Sequence, residues 1–179
     1  MCGIAGYVGD RESADVLVDA LSKLEYRGYD SAGIAVFDHG NIKVKKCKGR
    51  LANLVEKMDE EGKPQGHVGI GHTRWATHGE PSDINSHPHG NKRVTIVHNG
   101  IIENYKKLKD FLVGEGYSFA SETDTEVAAK LLDYYYDGDP MKTIAKVLSE
   151  IKGSYALGIM FRDFPDEILS LIHISEPTR

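Results

Sequence analysis

The sequence predicts an α+β fold, because strand-like and helix-like patterns occupy separate stretches of the chain. Short apolar segments joined by turn residues dominate the first half, which also contains two helical patterns, then three amphipathic helical patterns follow one another, and strand-like alternation returns at residues 154–161. Strands in hairpins followed by a run of helices favour α+β over the alternating βαβ units of a parallel sheet. With 179 residues, the chain is most simply one domain with its own hydrophobic core.

Six segments are predicted to be strands, from apolar runs or from alternation of apolar and polar residues. They cover residues 4–8, 32–37, 42–47, 68–75, 94–98 and 154–161. The first is apolar and glycine-spaced, so we expect a central strand there. The second and third are separated by Asp38-His-Gly-Asn, which is typical of a hairpin, and the lysines of the third should face solvent.

Five segments have apolar residues at helical spacing. The predicted helices begin near residues 12, 52, 105, 124 and 140. The fourth should begin with Thr123 and Glu126 as a capping box, and the fifth with Asp139 as N-cap and Pro140 at the first helical position. Gly62 should end the second.

The composition argues against several classes of partner. The formal net charge is −5 and no Lys/Arg block is present, so we expect no nucleic-acid partner. No apolar stretch is long enough to span a bilayer, so we expect no membrane association. The N-terminus lacks the regions of a secretory signal, and two cysteines make no disulfide framework, so the cytoplasm is the expected location.

The two cysteines differ in kind. Cys47 lies in a predicted strand and is interpreted as a spare thiol. Cys2 directly follows the initiator Met1, so removal of that methionine would expose both its thiol and its α-amino group. Cys2 is therefore the candidate nucleophile.

Four clusters of small and polar residues stand at predicted strand ends. They are Cys2-Gly-Ile-Ala-Gly, Tyr26-Arg-Gly-Tyr-Asp-Ser-Ala-Gly, Gly71-His-Thr-Arg-Trp-Ala-Thr-His-Gly and His98-Asn-Gly-Ile-Ile-Glu-Asn. Each alone has an ordinary explanation: Gly28 as a helix C-cap, Asn99-Gly100 as a hairpin turn, and Asp124 beyond them as a partner of a helix dipole. Together they indicate a functional site.

The clusters, in this order and spacing, resemble the class II glutamine amidotransferases, which are N-terminal-nucleophile enzymes. Within that class, residues 24–33, 72–79, 86–89 and 121–126 resemble the glucosamine-6-phosphate synthases, also called isomerizing glutamine:fructose-6-phosphate aminotransferases. The resemblance runs from residue 1 to about residue 168. It implies a four-layer αββα fold of two stacked, mainly antiparallel sheets flanked by helices. It also implies a glutaminase that hydrolyses L-glutamine to glutamate and ammonia through a Cys2 thioester.

The residues fit that chemistry. One N-terminal cysteine can supply both nucleophile and general base, without a separate histidine. The resemblance assigns the oxyanion donors to the Asn99 side-chain amide and the Gly100 backbone N–H. Glycine at that position allows the close backbone approach that such a donor requires.

Recognition of glutamine requires a cation for the α-carboxylate and an anion for the α-ammonium. Arg74 offers the bidentate fork for the carboxylate, and Asp124 offers the counter-charge. By resemblance, Thr77 and His78 add contacts at the carboxylate end of the substrate.

Three further residues receive roles by resemblance alone. Arg27 is expected to organise the surroundings of Cys2, and His87 to be a nearby loop residue of the glutamine site. Trp75 resembles a gate between the glutamine pocket and an ammonia path, and an ordinary core tryptophan is the alternative.

Two rival interpretations stand beside the amidotransferase. Six histidines fall between residues 67 and 98, and His87-Pro-His89 would place two imidazoles near a metal ion. No His-Glu-x-x-His or Cys-x-x-Cys element accompanies them, so we expect no metal and no cofactor, and glutaminase activity that survives a chelator would separate the two readings. The second rival is a catalytically silent binding module. Such a module would not need the complete set of candidate residues, which are Cys2, Arg74, Asn99, Gly100 and Asp124.

The resemblance also bears on what surrounds the domain. The family continues into two sugar-isomerase domains that bind fructose 6-phosphate, and the full-length enzyme, which makes glucosamine 6-phosphate, is expected to be a homodimer. We assign residues 1–168 to the glutaminase domain. We expect residues 169–179 to be a non-family tail, a translated sequencing adaptor or truncation artefact, with a natural divergent strand as the alternative.

Overall fold

A computed structural model describes residues 2–75 and 79–173 of the chain. The strands within them are β1 (Gly3–Val8), β2 (Ser31–Asp38), β3 (Asn41–Lys48), β4 (Val68–Arg74), β5 (His89–Gly90), β6 (Val94–Ile102), β7 (Gly153–Phe161) and β8 (Leu169–His173). The helices are α1 (Ser13–Ser22), α2 (Leu51–Glu61), α3 (Tyr105–Gly114), α4 (Asp124–Tyr135) and α5 (Pro140–Glu150), and a 3₁₀ turn covers Glu25–Arg27. None of these helices has the length and apolar character needed to cross a membrane.

The strands form two four-stranded sheets, ordered β1-β4-β2-β3 and β5-β6-β7-β8. Every strand pair in the described residues is antiparallel. Helices α1 and α2 pack on the outer face of the first sheet, and α3, α4 and α5 pack on the outer face of the second. The predicted α+β class and the four-layer αββα arrangement are confirmed.

Alternating side chains of the sheets divide between two environments. In β2, Ile34 and Val36 face α1 and α2, while Ala35 faces the second sheet. In β6, Ile96 faces the helices and Val97 faces the first sheet. Because both faces of these strands are buried, they appear in the sequence as continuous apolar runs.

The predicted hairpin turn after β2 and the predicted cap of α5 are confirmed. His39 and Gly40 join β2 to β3 with φ of 47° and 80°, the left-handed conformation that a two-residue hairpin turn requires. Asp139 accepts hydrogen bonds from the backbone N–H groups of Met141 and Lys142, directly before Pro140.

The prediction that residues 4–8 form a central strand is wrong. β1 is an edge strand that pairs with β4 alone, and Val8 is 54% exposed. β4 holds the inner position because it pairs with both β1 and β2. The order of strands depends on long-range pairing, which apolar content does not report.

The strand predicted at residues 94–98 continues to Ile102, so Asn99 and Gly100 lie within β6. They pair with Ala156 and Tyr155 of β7 and form no hairpin turn. Gly100 has φ of 123°, and a Cβ there would lie 2.1 Å from the Ser154 carbonyl oxygen. Glycine is needed at this position because the neighbouring strand leaves no room for a side chain.

The lysines of β3 do not all face solvent. The Lys46 ammonium is half-buried and donates to the carbonyl oxygens of Ile84, Ser86 and Pro88, at 3.3, 2.7 and 3.2 Å. Burial lowers the pKa of Lys46 to about 8. Lys46 therefore fixes the segment that carries His87 over β3. The alternation of residues in the sequence predicts instead that this lysine faces solvent.

Residues 169–173 form β8, which pairs with β7 at the edge of the second sheet. Leu169 and Leu171 pack against the core beneath α3, α4 and α5. The non-family tail and the natural divergent strand are both compatible with this pairing, so the domain boundary at residue 168 stays a prediction.

Candidate active site

Cys2 lies at the point where β1 begins, beside the end of β4. Gly3 pairs with Thr73, so the cysteine comes next to the chain that leaves β4. Its Sγ accepts the Trp75 backbone N–H at 3.2 Å and lies 3.5 Å from the Trp75 carbonyl oxygen. The thiol is half-buried and opens onto a cleft of about 480 Å³.

Asn99 reaches Cys2 from the second sheet. Its Nδ2 donates to the Cys2 carbonyl oxygen at 3.0 Å, and its Oδ1 lies 2.9 Å from Nε2 of His72. Gly100 follows directly and lines both the cleft and a smaller cavity beside Cys2. Two candidate oxyanion donors thus stand on one strand beside the thiol.

Arg74 and Asp124 are buried around the same small cavity, which also touches Cys2 and has a volume of about 30 Å³. Arg74 donates to the Gly79 carbonyl oxygen at 3.2 Å. Burial lowers the pKa of Arg74, and the carboxylates of Asp30 and Asp124 oppose that shift. The site therefore contains one buried cation and one buried anion close to the thiol.

The start of α4 places Asp124. Thr123 accepts the Glu126 backbone N–H at 3.2 Å, as the capping box requires. The Glu126 carboxylate accepts instead from the backbone of Ala120 and Ser121, at 3.1 and 2.6 Å, so the second half of the box is not formed. Asp124 accepts the Ile102 backbone N–H at 2.9 Å, which fixes the end of β6 to the start of α4.

Histidines of the central stretch form a buried cluster that includes the Thr125 hydroxyl. The ring of His87 stacks on that of His72 with centroids 4.1 Å apart. His87 Nε2 and His98 Nδ1 lie 2.8 and 2.9 Å from the Thr125 hydroxyl. Burial lowers the pKa of His87 well below its ordinary value. The structure brings His87 beneath the site, as part of this cluster.

Arg27 and Trp75 border the cleft that opens onto Cys2. Trp75 is 46% exposed and meets Tyr29 edge to face, so it is not an ordinary core tryptophan. Gly28 lets the turn that carries Arg27 pack against β4, because a Cβ there would lie 2.7 Å from the Arg74 carbonyl carbon.

The structure therefore brings most of the predicted site residues to one place. They are Cys2, Arg27, Arg74, Trp75, His87, Asn99, Gly100 and Asp124. Thr77 and His78 lie outside the described residues. In residues 2–75 and 79–173, no group of three or more His, Cys, Asp or Glu side chains is arranged to hold a metal ion.

His72 and Thr125, which connect the site residues to one another, have no separate role in the sequence-based prediction. A signal for His72 was present, because it lies in a strand whose other residues are buried. A buried polar side chain needs a hydrogen-bond partner, and the partner lies on the other sheet.

The two-sheet sandwich with a cysteine at the start of β1 is the fold of the N-terminal-nucleophile amidotransferases. A glutamine amidotransferase domain model matches residues 72–170, more than half of the chain. The chain belongs to this glutamine amidotransferase domain family.

Individual relatives agree with this assignment. Glutamine–fructose-6-phosphate aminotransferase (isomerizing) from Caldanaerobacter subterraneus subsp. tengcongensis is 58% identical over 172 residues, which are 95% of this chain and 28% of that protein. The protein of the same name from Clostridium tetani is 56% identical over 96% of this chain and 28% of its own length. Among solved structures, glutamine phosphoribosylpyrophosphate amidotransferase from B. subtilis, complexed with ADP and GMP, has a TM-score of 0.78 at 29% identity, covering 90% of this chain and 35% of that one. The chain thus spans little more than a quarter of its curated relatives.

Proposed function

We propose that this domain hydrolyses L-glutamine to glutamate and ammonia, with Cys2 as the nucleophile. The observation that carries the proposal is the approach of the Asn99 amide, on the second sheet, to Cys2 on the first, at 3.0 Å from its carbonyl oxygen. A nucleophile and an oxyanion donor held side by side on separate rigid sheets suit acyl transfer.

The reaction begins after removal of Met1. The α-amine of Cys2 accepts the thiol proton, directly or through one water, and the sulfur attacks the side-chain amide carbon of glutamine. The negative charge that develops on the amide oxygen is stabilised by the Asn99 Nδ2–H and the Gly100 N–H. The C–N bond breaks as the amine returns a proton to the leaving nitrogen, and ammonia departs. Water then hydrolyses the thioester, releasing glutamate and restoring the thiol.

The charged pair holds the two ends of the amino-acid moiety. Arg74 binds the α-carboxylate of glutamine, and Asp124 binds the α-ammonium. Thr77 and His78 add contacts at the carboxylate end. The small cavity is smaller than glutamine, so we expect its walls to move when the substrate enters.

The remaining site residues support the thiol and the route of ammonia. Arg27, which borders the cleft, keeps the surroundings of Cys2 in order, and His87 supports the pocket from below. Trp75, which borders the same cleft as Cys2, gates the departure of ammonia.

The names of the relatives suggest the acceptor of the ammonia. The relatives are named for fructose 6-phosphate and for isomerization. We propose that this domain supplies ammonia to isomerase domains of a longer cytoplasmic, homodimeric enzyme that forms glucosamine 6-phosphate. We also propose that the domain ends near residue 168.

The test compares two cysteine variants of the processed chain. Cys2→Ala should abolish glutamine hydrolysis, measured as glutamate release, because no other group replaces the thiol. Cys47→Ala is the control and should keep nearly full activity, since burial raises the pKa of the Cys47 thiol and it lies in the core against α2. Loss of activity in Cys47→Ala with retention in Cys2→Ala would show that the nucleophile is misassigned.

A further inference from the structure

The Asn99 amide can stabilise an oxyanion in only one of its two orientations. The NH₂ group has to face the reacting carbonyl, and the oxygen has to face away. Both orientations have nearly the same shape, so packing alone does not select between them. A hydrogen-bond partner of fixed character is required.

Two such partners are in place, the Cys2 carbonyl oxygen, which accepts from Nδ2, and His72. His72 Nε2 lies 3.0 Å from the His98 carbonyl oxygen and 2.9 Å from the Asn99 side chain. A backbone carbonyl only accepts hydrogen bonds, so Nε2 carries the proton and donates. The Asn99 atom that faces this N–H is therefore its oxygen, and Nδ2 is directed toward Cys2.

The His72 ring is itself held in place and neutral. It has no exposed surface, and it stacks on His87, whose Nε2 is hydrogen-bonded to Thr125 at 2.8 Å. Burial lowers the pKa of His72 to about 3, so the ring carries one proton at neutral pH. Nδ1 is buried with no hydrogen-bond partner in the described part of the chain, which suits the unprotonated nitrogen, because an N–H there would be left unsatisfied.

We propose that His72 is a positioning residue that holds the Asn99 amide with its N–H groups toward Cys2. This inference rests on the proposed glutaminase function. His72 acts through Asn99 and needs no contact with glutamine. Its contribution should therefore appear in kcat, where the oxyanion forms, and not in KM.

Two substitutions of similar polarity separate positioning from a general structural role. Counted in bonds from the backbone, the side-chain nitrogen of Gln stands at the position of Nε2 of His. The side-chain nitrogen of Asn stands one bond closer, at the position of Nδ1. His72→Gln can keep the donor to Asn99, and His72→Asn cannot. We expect His72→Asn to lower kcat for glutamine hydrolysis roughly 10–100-fold with KM nearly unchanged, and His72→Gln to recover most of that loss.

Two further measurements accompany this pair. The rate at which iodoacetamide alkylates Cys2 should be the same in both variants and in the wild type, because that reaction forms no oxyanion. Combining His72→Asn with Asn99→Ala should give an enzyme no slower than Asn99→Ala alone, since one residue acts through the other. Equal kcat values in the Gln and Asn variants, or losses that multiply in the double variant, would overturn the proposal.

The unmodified protein offers an independent test through ¹⁵N NMR of its histidine rings. His72 should show a protonated Nε2 and a bare Nδ1 from about pH 6 to 8, and Asn99→Ala should shift the Nε2 signal. A protonated Nδ1 would overturn the proposal even if neither His72 variant folds. A wild-type chain that shows the expected tautomer but does not hydrolyse glutamine would refute the proposed function and leave the orientation of Asn99 established.

Discussion

The two sheets meet through two regions of opposite character. In the apolar region, formed by Ala35, Val68, Ile70, Val97 and Met160, side chains of the two sheets exclude water. In the polar region, formed by His72, His87, His89, His98 and Asn99, the side chains are partly or fully buried and joined by hydrogen bonds and ring contacts.

The two regions contribute different properties to the fold. Apolar contact stabilises the sandwich in proportion to buried area and is tolerant of small changes in shape. Buried imidazoles are costly to desolvate and fix donor and acceptor directions. The apolar region therefore holds the sheets together, and the polar region sets where Asn99 points.

The largest expected effect is the loss of stability in mild acid. Burial lowers the pKa of His72 to about 3 and that of His87 and His89 well below the ordinary value. Below about pH 6.5 the unfolded chain takes up protons that the folded protein does not. The free energy of unfolding therefore falls by up to about 1.4 kcal/mol per histidine for each pH unit, which is about 4 kcal/mol per pH unit for the three histidines together. Urea denaturation at pH 7 and pH 5.5 measures this. Equal midpoints would mean that the polar region carries no such cost.

The next effect separates catalysis from binding. Asn99→Ala removes a donor that is needed mainly when the oxyanion forms, so kcat for glutamine hydrolysis should fall by roughly 10²–10³ with KM less affected. Steady-state kinetics with glutamine as the only substrate checks it. A rise in KM alone would assign Asn99 to ground-state binding.

Changes to Arg74 and Asp124 should affect KM more than kcat, which is the reverse of the effect of Asn99→Ala. Arg74→Lys keeps the charge but loses the planar fork, and Asp124→Asn removes the counter-charge to the substrate ammonium. Both should raise KM, by roughly 10-fold or more, and lower kcat less, because these contacts persist from ground state to transition state. The same kinetic assay measures both variants. A fall in kcat alone in Arg74→Lys would contradict this assignment, because it would give Arg74 the transition-state role proposed for Asn99.

The smallest effect comes from the apolar region. Ile70 is 1% exposed between the sheets, and Ile70→Val should destabilise the fold by about 1 kcal/mol with little change in kcat. Val8→Ala on the exposed edge of β1 is the control and should change the free energy of unfolding by no more than about 0.5 kcal/mol. A large loss of kcat in Ile70→Val would show that the two regions are not separable.

The sequence predicts the features that depend on neighbouring residues. The hairpin at His39-Gly40 and the cap at Asp139 are examples, because their signals lie within a few positions of one another. The strand-end clusters also identified where polar residues would gather, and the family resemblance named most of the residues that the structure brings together.

Features that depend on distant parts of the chain were not predictable. β1 is an edge strand because β4, sixty and more residues away, takes the inner position. Asn99-Gly100 has the composition of a turn and becomes strand through pairing with β7. The Lys46 ammonium is covered by backbone carbonyl groups that include that of Ser86, 40 positions later in the sequence. The contact of His72 with Asn99 likewise forms only when the two sheets stack.

We propose that Cys2 is a nucleophile placed to attack bound glutamine. An electrophilic glutamine analogue, such as a diazoketone, incubated with the processed chain and followed by peptide mass spectrometry tests it most directly. We expect one covalent adduct on the N-terminal peptide that begins with Cys2, formed more slowly in excess glutamine, with Cys47 unmodified. An adduct on Cys47, or labelling of Cys2 that glutamine does not slow, would contradict it.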